Sequence, residues 1–155
     1  MKLNQQKDGV LSLKCFRSKS IFVTIEFGGV LMNMNDTQLR ELTNKLLVVV
    51  EEVTTKFAEV KQSEQYEVDF YGEVQPFVNG VDRLIEQWQP LVMVWLESGR
   101  GKYLHKQQIE STVEHLKTVS VLVFQPKASK KRVIELLKSI RYVLDSLLSE
   151  IIELG

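Results

Sequence analysis

The chain has 155 residues, enough for one domain and too few for two of ordinary size. Its 44% hydrophobic and 26% charged residues are typical of a folded globular protein and exclude a disordered chain. The 20 basic side chains balance the 20 acidic ones, so the overall charge gives no support to binding of nucleic acid or of an anionic membrane surface.

The first 31 residues differ from the remainder in charge. They carry five basic and two acidic side chains, a net charge of +3, so residues 32–155 carry −3. Within them, residues 21–27 are β-branched and aromatic, which predicts a strand that Gly28-Gly29 ends.

The first helix is predicted to begin at Asn35, which can cap it, with Gln38 three residues later and a hydrophobic staple between Met34 and Leu39. From there, apolar residues recur at steps of three and four, the spacing of one helix face. They are Leu39, Leu42, Leu46, Val49, Val53, Phe57 and Val60. The polar stretch 61–65 ends this helix.

A second helical segment is predicted over residues 67–97, where apolar residues form an unbroken heptad seam. The seam residues are Phe70, Val74, Phe77, Val81, Leu84, Trp88, Leu91 and Trp95, and Val78, Ile85 and Val92 widen the stripe. Large aromatic side chains at heptad spacing fill bundle cores, so we expect Trp88 and Trp95 to be buried.

Two prolines lie inside this second segment. Pro76 and Pro90 share one heptad position on the predicted solvent side. A proline inside a helix removes a hydrogen bond, and its ring strikes the carbonyl four residues earlier, which for Pro76 belongs to Gly72. We therefore expect one long helix bent around the core, with a bend of more than about 20° at Pro76. The alternative is a full break, with Pro76 opening a new helix.

Two further helices are predicted after a turn at residues 98–102. The third begins near Lys106, and Ser129 caps the fourth. Their seams comprise Ile109, Val113, Leu116, Ser120 and Val123, then Val133, Leu137, Ile140, Leu144, Leu147, Ile151 and Leu154. Four long amphipathic helices joined by short connections predict an all-α, four-helix, up-and-down antiparallel bundle with a proline-kinked second helix.

Helix bundles often hold metal ions through inward Glu residues and a Glu-x-x-His pair. Neither His105 nor His115 completes that pair, because Lys102 and Thr112 stand three residues before them. The acidic residues fall off the apolar seams, as is typical of solvated helix faces; they include Glu51, Glu52, Glu59, Glu73, Asp82 and Glu86. The sequence therefore assigns no catalytic residue, no cofactor and no metal ligand.

A small basic cluster, formed by Lys127, Lys130, Lys131 and Arg132, stands at the start of the fourth helix. Cations are mildly unfavourable at this end of a helix dipole, so helix stability does not account for the cluster. It is a candidate contact for a phosphate or an acidic partner. The alternative is a set of solvated lysines at a turn.

The run at residues 102–110, Lys-Tyr-Leu-His-Lys-Gln-Gln-Ile-Glu, resembles the YppE-like family, small proteins of unknown function from Gram-positive Bacillus-type bacteria. The resemblance continues through residues 121–126 and 129–132, touches 69–71 and 74–76, and covers about 35–153. It implies an all-α four-helix fold and no activity, because none is established for the family.

Residues 1–31 lie outside the resemblance, and we expect the domain to span 32–155 with Met32 as the native start. Gly28-Gly29 can be encoded by codons that contain the purine-rich core of a bacterial ribosome-binding site. The alternative is a genuine N-terminal hairpin that lies on the bundle through Phe22, Ile25 and Phe27. The intact mass of the protein from its own cells distinguishes the two.

We interpret the chain as a non-catalytic helical bundle that acts by binding another protein. The candidate interaction surface comprises two sites, expected at opposite ends of an up-and-down bundle. They are Tyr103, His105 and Gln108 at the start of the third helix, and Lys130, Lys131 and Arg132 at the start of the fourth. The sequence identifies neither the partner nor the oligomeric state.

Two alternatives stay open. One is an enzyme with a cleft that the sequence does not reveal, and the other is a weak nucleic-acid binder that uses residues 127–132. A salt-sensitive gel shift that is lost on Lys130→Glu would favour the second. A lone cysteine, Cys15, and the lack of an apolar signal segment favour a cytoplasmic protein, and no membrane association is expected.

Overall fold

The structure, a computed structural model, describes residues 24–27 and 30–154. A hairpin and four helices, with a π-helical turn (Phe70–Val74) directly before the second helix, make up this part of the chain. The elements are β1 (Thr24–Phe27), β2 (Val30–Asn33), α1 (Met34–Gln62), α2 (Gln75–Glu97), α3 (Lys106–Leu122) and α4 (Lys130–Leu154). The predicted all-α four-helix class is confirmed.

The chain divides into two compact units between Gln38 and Leu39. In the first unit, β1 and β2 pair antiparallel, with Phe27 opposite Val30. Within the strand-like stretch at residues 21–27, Thr24–Phe27 form β1.

Part of the N-terminal prediction falls on residues that the structure does not describe. Residues 21–23, Gly28-Gly29 and the side chains of Phe22, Ile25 and Phe27 lie outside the described part of the chain. The domain boundary and native start at Met32 therefore stay predictions.

Contacts between distant parts of the second unit establish the antiparallel order of the bundle. Near the end of α1, Lys56 pairs with Glu73, just before α2, at 2.6 Å. One turn further along α1, Lys61 Nζ donates to the carbonyl of Ala128, just before α4, at 2.6 Å. The end of α1 therefore meets the beginnings of α2 and α4, as an up-and-down bundle requires.

The core lies between the apolar faces of the four helices. Every seam residue predicted for α1 and α3 is buried, and Trp88 and Trp95 are 0% and 1% exposed, as predicted. In α4, five of the seven predicted residues are buried: Val133, Ile140, Leu144, Leu147 and Ile151. Leu137 is partly buried against these residues. The structure does not describe the side chain of Leu154.

The start of the second helix differs from the prediction. Residues 67–69 are not helical, and the π-helical turn that follows is closed by a hydrogen bond from the Gln75 N–H to the Phe70 carbonyl. Val74 keeps helical dihedrals (φ −66°, ψ −53°), so the turn runs into α2 without a full break. Pro76 lies in the first turn of α2, where prolines are common in helices.

The same turn explains why one seam residue was wrongly predicted. A π-helical turn holds an extra residue compared with an α-helical turn, so it shifts the residues before it out of phase with the seam. Phe70 consequently lies at the surface, 54% exposed, whereas Val74 is buried. Pro76 and Pro90 are both exposed, as predicted. The bend angle at Pro76 stays a prediction.

Candidate functional site

The first predicted site, at the start of α3, combines an exposed aromatic ring with a helix cap. Tyr103 is 66% exposed. His105 is the N-cap residue of α3, and its backbone N–H donates to Gln108 Oε1 at 2.8 Å. This hydrogen bond between the cap residue and the first turn is part of a capping box, which stabilises the start of a helix. His105 and Gln108 therefore have a structural role at this site.

A buried carboxylate holds the connection that carries Tyr103. Glu150 of α4 is 3% exposed, and its Oε1 accepts the backbone N–H of Lys102 at 2.5 Å and that of Tyr103 at 3.2 Å. A buried carboxylate is stabilised by such charge-assisted hydrogen bonds. Glu150 therefore fixes the backbone and leaves the Tyr103 ring to point outward.

The second predicted site, at the start of α4, contains a residue that the sequence did not connect with it. Lys130, Lys131 and Arg132 are exposed, and the last two line a cleft of about 420 Å³ together with His115 of α3. Lys131 also lies 3.9 Å from Glu135, one helical turn away. The cluster and Tyr103 lie beyond opposite ends of α3; that they form two interaction sites stays a prediction.

A third site, between α1 and α2, was not predicted. It is a groove of about 530 Å³ that continues into a hollow of about 380 Å³. The two share Val48, Glu52 and Phe77, and we call their combined surface the α1–α2 groove. Its lining comprises Lys45, Val48, Val49, Glu51, Glu52, Thr55, Lys56, Glu59, Glu73, Pro76, Phe77, Gly80, Val81, Leu84 and Phe124.

The floor of the α1–α2 groove is apolar and open. Val48, in the middle of α1, is 55% exposed. The ring of Phe77 packs edge-on against that of Phe124 at a centroid distance of 5.7 Å, a stable aromatic geometry. Gly80 lines the hollow, and a Cβ atom there would meet nothing within 4 Å; we call this open place on the helix the notch.

A hydrogen-bonded network joins α1 to the connection that leads into α2. Lys56 Nζ donates to Glu73 Oε1 at 2.6 Å, and the Tyr66 hydroxyl donates to Glu73 Oε2 at 2.8 Å. The Lys56 ammonium also lies 5.4 Å from the centre of the Tyr66 ring and 5.9 Å from that of Phe124, within cation–π range. These contacts fix one end of the groove.

The network changes the proton affinity of both of its acidic members. The hydrogen bonds from Lys56 and then Tyr66 lower the pKa of Glu73, because they stabilise its carboxylate form. Burial, followed by the hydrogen bond to Glu73, raises the pKa of Tyr66 to about 12, because both disfavour the phenolate. Glu73 is therefore ionised and Tyr66 protonated at neutral pH, which is the state that the network needs.

Acidic side chains predominate along the groove and in the connection beside it. The groove is lined by four glutamates and two lysines. Residues 63–74 add three further acidic side chains, Glu64, Glu67 and Asp69, and contain no basic one. Glu51 is paired with Arg141 of α4, and Glu59 lies 3.9 Å from Lys56. Glu52 and Glu59 are both exposed on the rim.

The π-helical turn presents two aromatic side chains to solvent. Phe70 and Tyr71 are 54% and 78% exposed, and their rings pack edge-on at 5.2 Å. The carboxylate of Asp69 holds the turn by accepting the Gly72 N–H at 2.8 Å. Turns of this kind are often found at functional sites, and exposed aromatic pairs are typical of binding surfaces.

The described residues offer few groups for other chemistry. Among them, no group of three or more His, Cys, Asp and Glu side chains is placed to hold a metal ion. Within the same part of the chain, no helix combines the length and apolar character that crossing a membrane requires. The surfaces described above combine exposed apolar side chains with acidic neighbours.

The fold and these surfaces define a class of small bacterial helical bundles without an assigned activity. The sequence model of a protein family, the bacterial domain of unknown function DUF1798, matches residues 43–151. The chain belongs to this family. The uncharacterised protein YppE of Bacillus subtilis is 27% identical over 113 residues, which cover 73% of this chain and 91% of that protein.

Solved structures show the same fold. The crystal structure of YppE from Bacillus subtilis has a TM-score of 0.71 at 26% identity and covers 76% of this chain and 94% of that one. The crystal structure of a protein of unknown function from Listeria innocua has a TM-score of 0.72 at 21% identity. It covers 77% of this chain and 94% of that one. The crystal structure of a DUF1798 domain from Staphylococcus aureus has a TM-score of 0.63 at 23% identity. It covers 74% of this chain and 96% of that one. The resemblance to the YppE-like family is therefore confirmed.

Proposed function

We propose that the chain is a non-catalytic protein-interaction module whose partner docks in the α1–α2 groove. The observation that carries this proposal is the exposure of Val48, 55%, in the middle of a bundle helix. Together with Phe77 it lines a concave apolar surface that Glu52 and Glu59 border. An apolar centre with a polar border is the usual anatomy of a protein-binding surface.

Tyr103 and the basic cluster at Lys130, Lys131 and Arg132 remain separate candidate contacts. They support the proposal less strongly, because His105 and Gln108 are engaged in a helix cap and because lysines on an exposed helix start need no partner. The groove, in contrast, places the exposed Val48 beside the partly buried Phe77 and Leu84 in a concave arrangement.

Site-specific photo-crosslinking in the protein's own cells tests this function. A photoreactive amino acid is placed at Val48, and a matched one at Val121, an exposed valine (41%) of α3 that does not line the groove. Both positions tolerate the change because surface substitutions rarely alter stability by more than about 0.5 kcal/mol. We expect protein adducts from position 48 and not from position 121. No adduct at 48, or equal adducts at both positions, would contradict the proposal.

A further inference from the structure

We infer, on the basis of the proposed function, that the α1–α2 groove takes an amphipathic helix of the partner, with Lys or Arg beside its apolar face. The inference rests on the length of the groove, the shape of its floor and the sign of its charges.

The length of the groove suits a helix. Along α1 it extends from Lys45 to Glu59, about 21 Å at the usual rise per residue, which is about four turns of a partner helix. The residues that line it belong to α1, α2 and the π-helical turn, with Phe124 after α3, so this lining offers no strand edge for an extended segment to pair with. A helix laid between two helices instead buries its apolar face without needing backbone partners.

The floor provides contacts at helical spacing. Phe77 and Leu84 lie one heptad apart on α2, and Val48 faces them from α1. Between them, the notch at Gly80 is open to a side chain of the partner, because Gly80 lines the hollow of about 380 Å³ and a Cβ there would contact nothing within 4 Å. A partner helix with apolar residues at i, i+3 or i+4, and i+7 can fill these positions together.

The charges select a basic partner. Lys56 is held by Glu73 at 2.6 Å, so its charge is largely compensated within the groove. The exposed carboxylates of Glu52 and Glu59 border the apolar floor; Glu59 lies 3.9 Å from Lys56, and Lys45 lies at the other end of the groove. The neighbouring connection, residues 63–74, contains four acidic and no basic side chains, so acidic groups are in excess. Complementary charges speed association and exclude partners of the wrong sign, so Lys or Arg beside the apolar face of the ligand is favoured.

A second copy of this chain fits the groove poorly. Within the described residues, its basic amphipathic segment is the start of α4, and the apolar face of that helix is already buried in its own core at Val133 and Ile140. A homodimer formed through the groove is therefore an outcome that would overturn the inference.

Binding of two synthetic helices to the full-length chain tests the inference. Both labelled peptides have about 15 residues and the same apolar face, and they differ only in carrying Lys or Glu beside it. Fluorescence anisotropy at low salt should show the Lys peptide binding at least about tenfold more tightly than the Glu peptide, with a difference that shrinks as salt is added. Equal binding of both peptides, or no binding of the Lys peptide, would overturn the assignment.

Matched variants locate the binding. Gly80→Trp should abolish binding of the Lys peptide by filling the notch, and Gly80→Ala should leave it intact. Reversing both Glu52 and Glu59 to Lys should weaken binding by about tenfold or more, whereas the same reversal at Glu110 and Glu114, exposed on α3, should change it less than about twofold. Binding unaffected by Gly80→Trp, or a peptide-independent dimer in sedimentation, would contradict the inference.

These outcomes separate the inference from the function on which it rests. Protein adducts at position 48 without binding of the Lys peptide would leave the interaction module standing and remove the basic helix as its ligand. Absence of adducts at position 48 would remove the proposed function itself.

Discussion

The indole N–H of Trp88 donates to the hydroxyl oxygen of Thr43 at 2.9 Å inside the core, across 45 residues of chain. The Thr43 hydroxyl in turn donates to the carbonyl of Leu39 at 2.7 Å, so both polar groups are satisfied where water does not reach. Thr43 and Trp88 are each 0% exposed. This contact fixes how α1 and α2 pack, and thereby positions the two walls of the groove.

Replacing Thr43 by the similarly shaped Val is expected to destabilise the bundle. The Trp88 N–H would stay buried without an acceptor, which costs about 1 to 3 kcal/mol of unfolding free energy. Urea denaturation measures the difference, and Thr54→Val, at an exposed position of α1, is the matched control with a change below about 0.5 kcal/mol. A Thr43→Val protein as stable as the native chain would show that the hydrogen bond contributes nothing.

Glu150→Ala is expected to loosen the connection between α2 and α3. The backbone N–H groups of Lys102 and Tyr103 would lose their carboxylate acceptor, at a cost of about 2 to 3 kcal/mol of unfolding free energy. Amide hydrogen exchange should show both N–H groups becoming unprotected, while Glu150→Gln, which keeps an acceptor oxygen, retains part of the protection. Asp145→Ala, exposed on the same helix, should leave exchange unchanged. Unchanged protection in Glu150→Ala would refute the role of this carboxylate.

The network of Lys56, Tyr66 and Glu73 predicts a stability that declines at both extremes of pH. Because the fold lowers the pKa of Glu73, its stabilising effect is complete above the ordinary value of 4.5 and is lost as pH falls below it. Because the fold raises the pKa of Tyr66 from 10.0 to about 12, that contribution is complete below pH 10.0 and is lost as pH rises to about 12.

Denaturation midpoints over a pH series check these signs. Glu73→Gln should reduce the acid decline, and Tyr66→Phe should reduce the alkaline one. In addition, Tyr66→Phe should remove the last phase of tyrosinate absorbance, and Tyr142→Phe, at a residue that is 67% exposed, should keep it. An alkaline titration identical in native and Tyr66→Phe protein would contradict the network.

Gly72→Ala is expected to displace the cap of the π-helical turn. A Cβ at Gly72 would collide with the carboxyl group of Asp69, which accepts the Gly72 N–H. The loss should be about 1 kcal/mol of unfolding free energy, the usual value of a cap. In an Asp69→Ala background the same Gly72→Ala change should cost little, since the collision is gone. Additive losses in the double variant would show that the two residues act independently.

Most of the fold was predictable because each helix buries one continuous apolar face. Steps of three and four residues predicted only buried residues on the seams of α1 and α3, although Val50 and Val119 are buried as well, and heptad spacing identified Trp88 and Trp95. The predicted burial of Phe70 on the seam was wrong because a π-helical turn precedes Pro76. One extra residue in a turn changes which side chains share a helix face. Periodicity assumes a regular helix and carries no information about such a turn.

The buried polar contacts were harder to predict, since polar residues are normally assigned to solvent. Glu150 nevertheless stands three residues after Leu147 and seven after Val143, so its position on α4 faces the core, and this spacing was an available signal. The contact with Tyr103 depends on where the preceding connection passes, which no local pattern specifies.

The groove could not be derived from sequence because it depends on the spacing and rotation of two helices. The sequence contains one indication of the groove, because Val48 lies in an apolar run of α1 but off its buried seam. The predicted residues Tyr103, Lys130, Lys131 and Arg132 were correctly placed at the surface, yet exposure alone does not distinguish a binding site from a solvated face.

The measurement that tests the central claim most directly combines the notch at Gly80 with crosslinking at Val48. The photoreactive residue at position 48 is introduced into the native, Gly80→Ala and Gly80→Trp chains, and adducts from the protein's own cells are compared at equal abundance of folded chain. If the partner occupies the α1–α2 groove, we expect protein adducts from the native and Gly80→Ala chains. We expect their loss from the Gly80→Trp chain, because the indole fills the space that the partner needs. Adducts that persist undiminished in Gly80→Trp would show that the partner does not occupy the α1–α2 groove.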